Sequence, residues 1–284
     1  MTTRRLNQTQ PESIGLSVLA NLVGNIETFR QERWKTLPAE HVIPDNALPS
    51  VRINDIWEEV ECGLLVSPFI RSHPITDIYQ KRIVVNNSRR GYAAPAATRE
   101  ALSQGCTLIL EQAELWSAEL ASEIQTLREE LGCQVSSTLI VAPASSEMSS
   151  IRTLIRPREG EQLFVVILEG DFDVTVESNA TVREGAIVDR RAGRGRSVYL
   201  PADVDFQAVT TEGGLLLVIR ALEPSATEIA ETVLALFLQE RGESIAGTHH
   251  LLSLPEKVDW LRHELTAFLD TVSPTRLTDL LRES

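Results

Sequence analysis

No histidine occurs between His73 and His249, so more than half of the 284 residues lie in a stretch without an imidazole. Within that stretch a Ser–His or Cys–His nucleophile pair is excluded, and so is a metal centre built on imidazoles. Cysteine is scarce as well. Cys62, Cys106 and Cys133 are an odd number with no Cys-x-x-Cys spacing, which excludes a zinc ribbon and a fully paired disulfide framework. They read as reduced thiols, with Cys106 as packing on an apolar strand, and the expected location is the cytoplasm. No apolar run approaches the roughly 20 residues that a membrane helix needs. No hydrophobic segment follows the basic start Met1–Leu6, so no secretory signal is expected. Positive charge is short too: 27 Lys and Arg against 40 Asp and Glu leave −13 at pH 7. That balance excludes a general nucleic-acid or anionic-membrane binder. There is no internal repeat and no low-complexity tract.

What remains is an ordinary globular composition, 43% hydrophobic and 24% charged, long enough for one large domain or two small ones. Residues 1–12 are polar. Leu16, Leu19, Leu22 and Val23 recur at helical spacing, and Asn25 is placed to cap a second segment carrying Ile26, Phe29 and Trp34. Pro38 ends that region. A short helix is expected over 54–60, a strand over 81–87, and a loop over 88–97 lying across a pocket. A helical turn over 98–104 closes at Gly105, and 106–110 is a buried strand. Leu120, Ile124, Leu127 and Leu131 mark a helix with Gly132 as its C-cap. A strand over 135–141 runs into a loop over 143–150.

Strands then come quickly, at 163–168, 171–177, 181–188, 197–200, 206–210 and 214–220. After Pro224 the pattern turns helical. Ser225 with Glu228, and Ser253 with Glu256 behind Pro255, have capping-box spacing. Their helices carry the stripes Ile229/Val233/Phe237 and Val258/Leu261/Leu265/Phe268, and Ser273-Pro274 starts a last short helix.

The organising stretch is Glu159–Phe206. Apolar β-formers, a turn at Gly170, an alternating strand and a Gly195-to-Pro201 strand end make barrel grammar. Arg190, Arg191, Arg194 and Arg196 read either as a solvated hairpin loop or as a contact for an anion or an acidic partner. Arg152, Arg156 and Arg158 precede the barrel strand and are candidates, with Arg194 and Arg196, to bind an anion in the pocket. Glu159 and Glu161 read as rim or surface carboxylates. Ser145, Ser146, Ser149 and Ser150 form a loop with no base beside them. His41 and His73 flank loops, while His249, His250 and His263 read as exposed.

These segments resemble the cupin-type JmjC-domain family related to the ribosomal-protein hydroxylases. The resemblance is carried by Phe29-Arg30-Gln31-Glu32-Arg33-Trp34-Lys35-Thr36-Leu37-Pro38, by Gly105-Cys106-Thr107-Leu108-Ile109-Leu110-Glu111, and by Leu131–Thr138 followed by Pro143. It spans 25–222. It implies an α+β fold: a double-stranded β-helix (cupin or jelly-roll) barrel with N-terminal helices and a C-terminal helical tail. Three regions follow: an arm and helix over 1–24, the barrel domain over 25–222, and a helical dimerisation region over 223–284.

Active members hold Fe(II) by a His-x-Asp/Glu pair and a distant His, leaving positions for 2-oxoglutarate and O₂. In this sequence the first slot falls on Pro157-Arg158-Glu159. The pattern Gly-(x)5-Pro-x-Gly-(x)2-His matches Gly195 and Pro201, but places Asp203 at the second Gly and Phe206 at the His. The segment that helps hold 2-oxoglutarate in many relatives is Asp171-Phe172-Asp173, acidic where an anion would sit. The resemblance thus implies a degenerate metal site at Pro157, Glu159 and Phe206, with no catalytic residue, metal or cofactor. The expected function is a non-catalytic binding module, or a partner or regulatory subunit for a peptide, protein or modifying enzyme. The alternatives are an Fe(II)/2-oxoglutarate hydroxylase with displaced ligands and a metal-independent cupin enzyme, acting on a protein, peptide or natural-product intermediate. A homodimer through the C-terminal helices is also implied.

Overall fold

The computed structural model describes residues 17–62, 70–73, 94–150, 157, 160–178, 189–202, 204–248 and 252–273. Two short helices, α1 (Val18–Val23) and α2 (Ile26–Glu32), lead to strand β1 (Ala39–Val42) and helix α3 (Ile53–Cys62). Strand β2 (Ile70–His73), helix α4 (Pro95–Ser103), strand β3 (Thr107–Glu111) and helix α5 (Ala118–Leu131) follow. The barrel strands are β4 (Gln134–Ser150), β5 (Glu161–Glu169), β6 (Phe172–Ser178), β7 (Asp189–Ala192), β8 (Arg196–Leu200) and β9 (Val204–Leu222). Helices α6 (Ala226–Thr248) and α7 (Leu254–Thr271) close the described chain.

All strand pairs are antiparallel, in the order β1-β8-β5-β9-β4-β3-β2, with β6 joined to β9 and β7 to β6. Strand β9 serves two walls. Its second half lies between β5 and β4, pairing Val218 with both Val165 and Thr138. Its first half pairs with β6, Phe206 opposite Val176. The crossing is made where Gly213 adopts a φ of 81° beside Gly214. A Cβ on Gly170, in the β5–β6 turn, would strike the Gly213 carbonyl oxygen, so both chain reversals require glycine.

Strand alternation sorts the core into two layers. Odd residues of β4 and β9 and even residues of β5 (Leu139, Leu217 and Phe164 among them) pack outward against Leu19, Phe29, Ile56 and Leu120 of the covering helices. The opposite residues form a second cluster inside the barrel. Carboxylates tie the helix starts to the rest: Glu130 accepts from the Leu19 N–H at 2.8 Å, and Glu169 accepts from the Ile53 N–H at 3.0 Å. Asn25 caps α2, Gly132 ends α5 at a φ of 69°, and Ser253 with Glu256 forms the expected capping box.

Several boundaries differ from the sequence reading. The loop expected over 143–150 continues β4, because residues 144 and 149–150 keep pairing with β9 past a bulge. The two strands expected over 206–210 and 214–220 are one, since the Gly213-Gly214 pair bends the ladder without breaking it. Three of the arginines fall in strands rather than a free loop: Arg190 and Arg191 of β7 are paired to Val174 and Asp173 of β6, and Arg196 begins β8. The short strands β1 and β2 carry too few residues for a readable alternation. The strands expected over 81–87 and 181–188 and the last short helix lie outside the described residues.

Candidate functional site

The inner wall of the barrel is apolar. Leu163, Val165 and Ile167 of β5, Val198 and Leu200 of β8, and Leu216 and Val218 of β9 face Phe172, Val174 and Val176 of β6. Phe206 and Ala208 complete the layer, and Phe206 is 1% exposed. Pro157 is buried. Among the described residues these side chains pack against one another as a single buried apolar cluster.

Among the described residues, charge meets this layer at the end of the barrel where β5 begins. Alternation turns Glu161 to the same face as Leu163, and Arg220 to the same face as Val218. An Arg220 guanidinium nitrogen lies 3.1 Å from a Glu161 carboxylate oxygen, and the Glu161 side chain is 7% exposed. Glu161 is therefore a buried, ion-paired group and not the rim carboxylate expected. Arg220 was missed because nothing in its local sequence separates it from a surface arginine; its strand parity was the available signal. A buried pair of this kind adds little net stability, but leaving one partner alone there is costly.

On the outer wall, the Phe29–Pro38 segment docks through aromatic rings. Trp34 stacks on Tyr199 at 5.6 Å between centroids, Phe29 meets Tyr199 edge-on at 4.8 Å, and Phe164 lies 5.2 Å from Tyr199. The Tyr199 hydroxyl accepts the Lys35 N–H at 2.7 Å and donates to the Gln162 side-chain oxygen. Burial pushes the Tyr199 phenol well above its ordinary pKa, so it stays protonated as a donor. Lys35 takes a left-handed φ of 64° to make this contact, and its ammonium reaches Glu223 at 2.7 Å.

The other candidates are dispersed. Arg196 pairs with Glu40 of β1 at 3.2 Å, Arg191 pairs with Asp171 at 2.9 Å, and Arg194 is exposed in the turn between β7 and β8. Arg152, Arg156, Arg158 and Glu159 lie outside the described residues. His41 on β1 stands opposite Ser197, with its ring against Gly24, and His263 is exposed on α7. Cys106 is buried, which raises its thiol pKa and keeps it unreactive. Among the described residues no three His, Cys, Asp or Glu converge to hold a metal. No described helix is long and apolar enough to cross a membrane.

The long sheet β1-β8-β5-β9-β4-β3-β2, joined to the β6–β7 pair by a strand β9 that crosses between them, makes a double-stranded β-helix (cupin) fold, flanked here by N- and C-terminal helices. No family model and no curated protein sequence matches the chain. Among solved structures, E. coli YcfD is similar over 91% of this chain and 71% of its own, with a TM-score of 0.62 and 12% identity. YcfD described as a ribosomal oxygenase in complex with cobalt and 2-oxoglutarate covers 92% and 70%, with a TM-score of 0.60 and 14% identity. The same oxygenase with cobalt and succinic acid covers 92% and 70%, with a TM-score of 0.58 and 13% identity.

These structures overturn the expectation that this chain goes without a cofactor: neighbours of the same fold are solved with cobalt and 2-oxoglutarate and with cobalt and succinic acid. The positions in family register nonetheless do not fit such a centre. Pro157 has no side-chain donor, and the Phe206 ring is packed in the apolar wall. At the 2-oxoglutarate segment, Phe172 is buried in that same wall while Asp171 and Asp173 are exposed. A cofactor site would have to draw on other groups.

Proposed function

We propose that this chain is an Fe(II)- and 2-oxoglutarate-dependent oxygenase acting on a protein or peptide, with metal ligands displaced from Pro157 and Phe206. The observation that carries this reading is the fold, shared over nine tenths of the chain with a ribosomal oxygenase solved with cobalt and 2-oxoglutarate. Glu159 stands in the register of the family's carboxylate, and every imidazole in the sequence lies outside residues 74–248. Purified protein given Fe(II) anaerobically is expected to retain about one metal per chain by elemental analysis. On admission of O₂ it is expected to convert 2-oxoglutarate to succinate. A protein that retains no iron and consumes no 2-oxoglutarate sinks this reading.

The filled inner wall favours a second reading, in which the barrel is a binding module or a partner subunit of a modifying enzyme. A peptide or protein would then lie over the barrel end that carries Glu161 and Arg220. Peptide capture without 2-oxoglutarate consumption selects it. In either case the free cysteines support a place in the cytoplasm.

Two copies pair through residues 223–284 in this proposal. Helices α6 and α7 bury Leu236, Phe237 and Phe268 against each other. Leu234, Leu238, Val258 and Leu261 remain between 45% and 53% exposed, a costly arrangement for a lone helical pair. Sedimentation equilibrium is expected to give twice the chain mass, and Leu238→Glu with Leu261→Glu to halve it. A wild-type monomer would remove the proposal.

A further inference from the structure

A cavity of 510 Å³ lies outside the barrel, between α3, α4 and the bend of β4. Its size falls in the range of small-molecule sites. Trp57 forms one wall, Arg99, Leu102 and Ser103 of α4 another, and Pro143 with Ala144 the base. The base is stiff, since a Cβ on Gly213 would touch the backbone of Ala142, Pro143 and Ala144. Strand register separates this site from the charged end of the barrel. Ala142 pairs with Gly214 at the bend of the β4–β9 ladder, and Gln134 with Leu222 eight residues away at its far end.

Among the described lining residues Arg99 is the one cation, and its guanidinium lies 5.4 Å from the Trp57 ring centroid. Stacking on an indole holds the stem and plane of an arginine in place. Its ion-pair partner, Glu61, is on the solvent side, and the two side chains are 59% and 54% exposed. A pair that exposed adds little to stability, so an incoming anion displaces Glu61 at small cost. Trp57, Leu102, Pro143 and Ala144 meanwhile offer apolar surface to the rest of a ligand. We infer that this cavity binds a small organic anion, a carboxylate on an apolar body, with Arg99 taking the carboxylate in place of Glu61.

The probe is 4-phenylbutyrate, with its uncharged amide as control, titrated against the full chain by calorimetry and by tryptophan fluorescence. Wild type is expected to bind the acid, and Arg99→Gln to weaken it about tenfold, the scale of one lost charge-assisted contact. Glu61→Gln is expected to tighten binding several-fold, because it removes the competing carboxylate. The amide should bind wild type no better than the acid binds Arg99→Gln. Trp57→Phe should abolish the fluorescence change while leaving weakened calorimetric binding. Equal affinity in wild type and Arg99→Gln, weaker binding in Glu61→Gln, or an amide as tight as the acid would each overturn the inference. Arg99 and Glu61 are exposed and Trp57→Phe keeps an aromatic ring at a half-buried position, so loss of folding is not the expected outcome of any variant.

Discussion

Replacing Pro157 and Phe206 together by histidine is expected to create a cobalt site in the barrel that depends on Glu159. Without metal, the Phe206→His change puts an imidazole where a ring is 1% exposed in an apolar wall. The cost is expected near 3 kcal/mol, at the lower end of what deleting a buried Phe costs. With Co(II) at about 100 times its dissociation constant, linkage returns about 2.7 kcal/mol. Thermal melts with and without Co(II) measure the gain, and the visible absorption of Co(II) reports its coordination. Glu159→Gln in the same background is expected to abolish both signals. A double variant no more cobalt-responsive than wild type would show that Pro157 and Phe206 are not in the family's ligand register.

Phe164→Ala is expected to lower stability by about 3–5 kcal/mol, as for other fully buried phenylalanines. Phe164 is completely buried and touches three other rings, Phe29, Trp34 and Tyr199. It therefore couples the N-terminal helices to the outer wall. Tyr199→Phe keeps the ring and removes only the hydroxyl that serves Lys35 and Gln162. Its expected cost is smaller, about 1–3 kcal/mol, from two polar groups left unsatisfied. Urea titration of both variants tests the order. A loss under about 1 kcal/mol for Phe164→Ala would mean that the cavity refills, and that the aromatic cluster does not hold the segment.

The barrel was legible in the sequence because Leu163–Leu168 and Leu215–Ile219 are unbroken apolar runs that pack on both faces, and Gly170 and Gly195 mark the turns. Long strands were harder to read. Pro143 and the Gly213-Gly214 pair look like strand ends locally, yet pairing with a distant partner carries β4 and β9 through them. Tertiary pairing overrides local propensity at such bends. That Pro157 and Phe206 stand where the resemblance implies imidazoles was readable residue by residue. That Phe206 would be walled in by Val176 and Val204, and that Glu161 would meet Arg220, depended on register between strands more than 25 residues apart. The Arg99–Trp57 cavity was invisible for the same reason, since its walls come from three separate segments. The absence of histidine from residues 74–248 did not establish absence of a cofactor, because structures of the same fold are solved with cobalt and 2-oxoglutarate or succinic acid.

Strand β9 crosses both walls and pairs with β4, β5 and β6. During synthesis it is the last barrel strand to leave the ribosome, after every partner has already emerged. Until about residue 222 is free, β4, β5 and β6 present open edges with an unfilled slot between them. Closure must therefore wait for the whole barrel and involve contacts far apart in sequence, which slows folding. Over that interval the nascent chain is exposed to strand-edge association, and holding it apart from its neighbours becomes a task for chaperones.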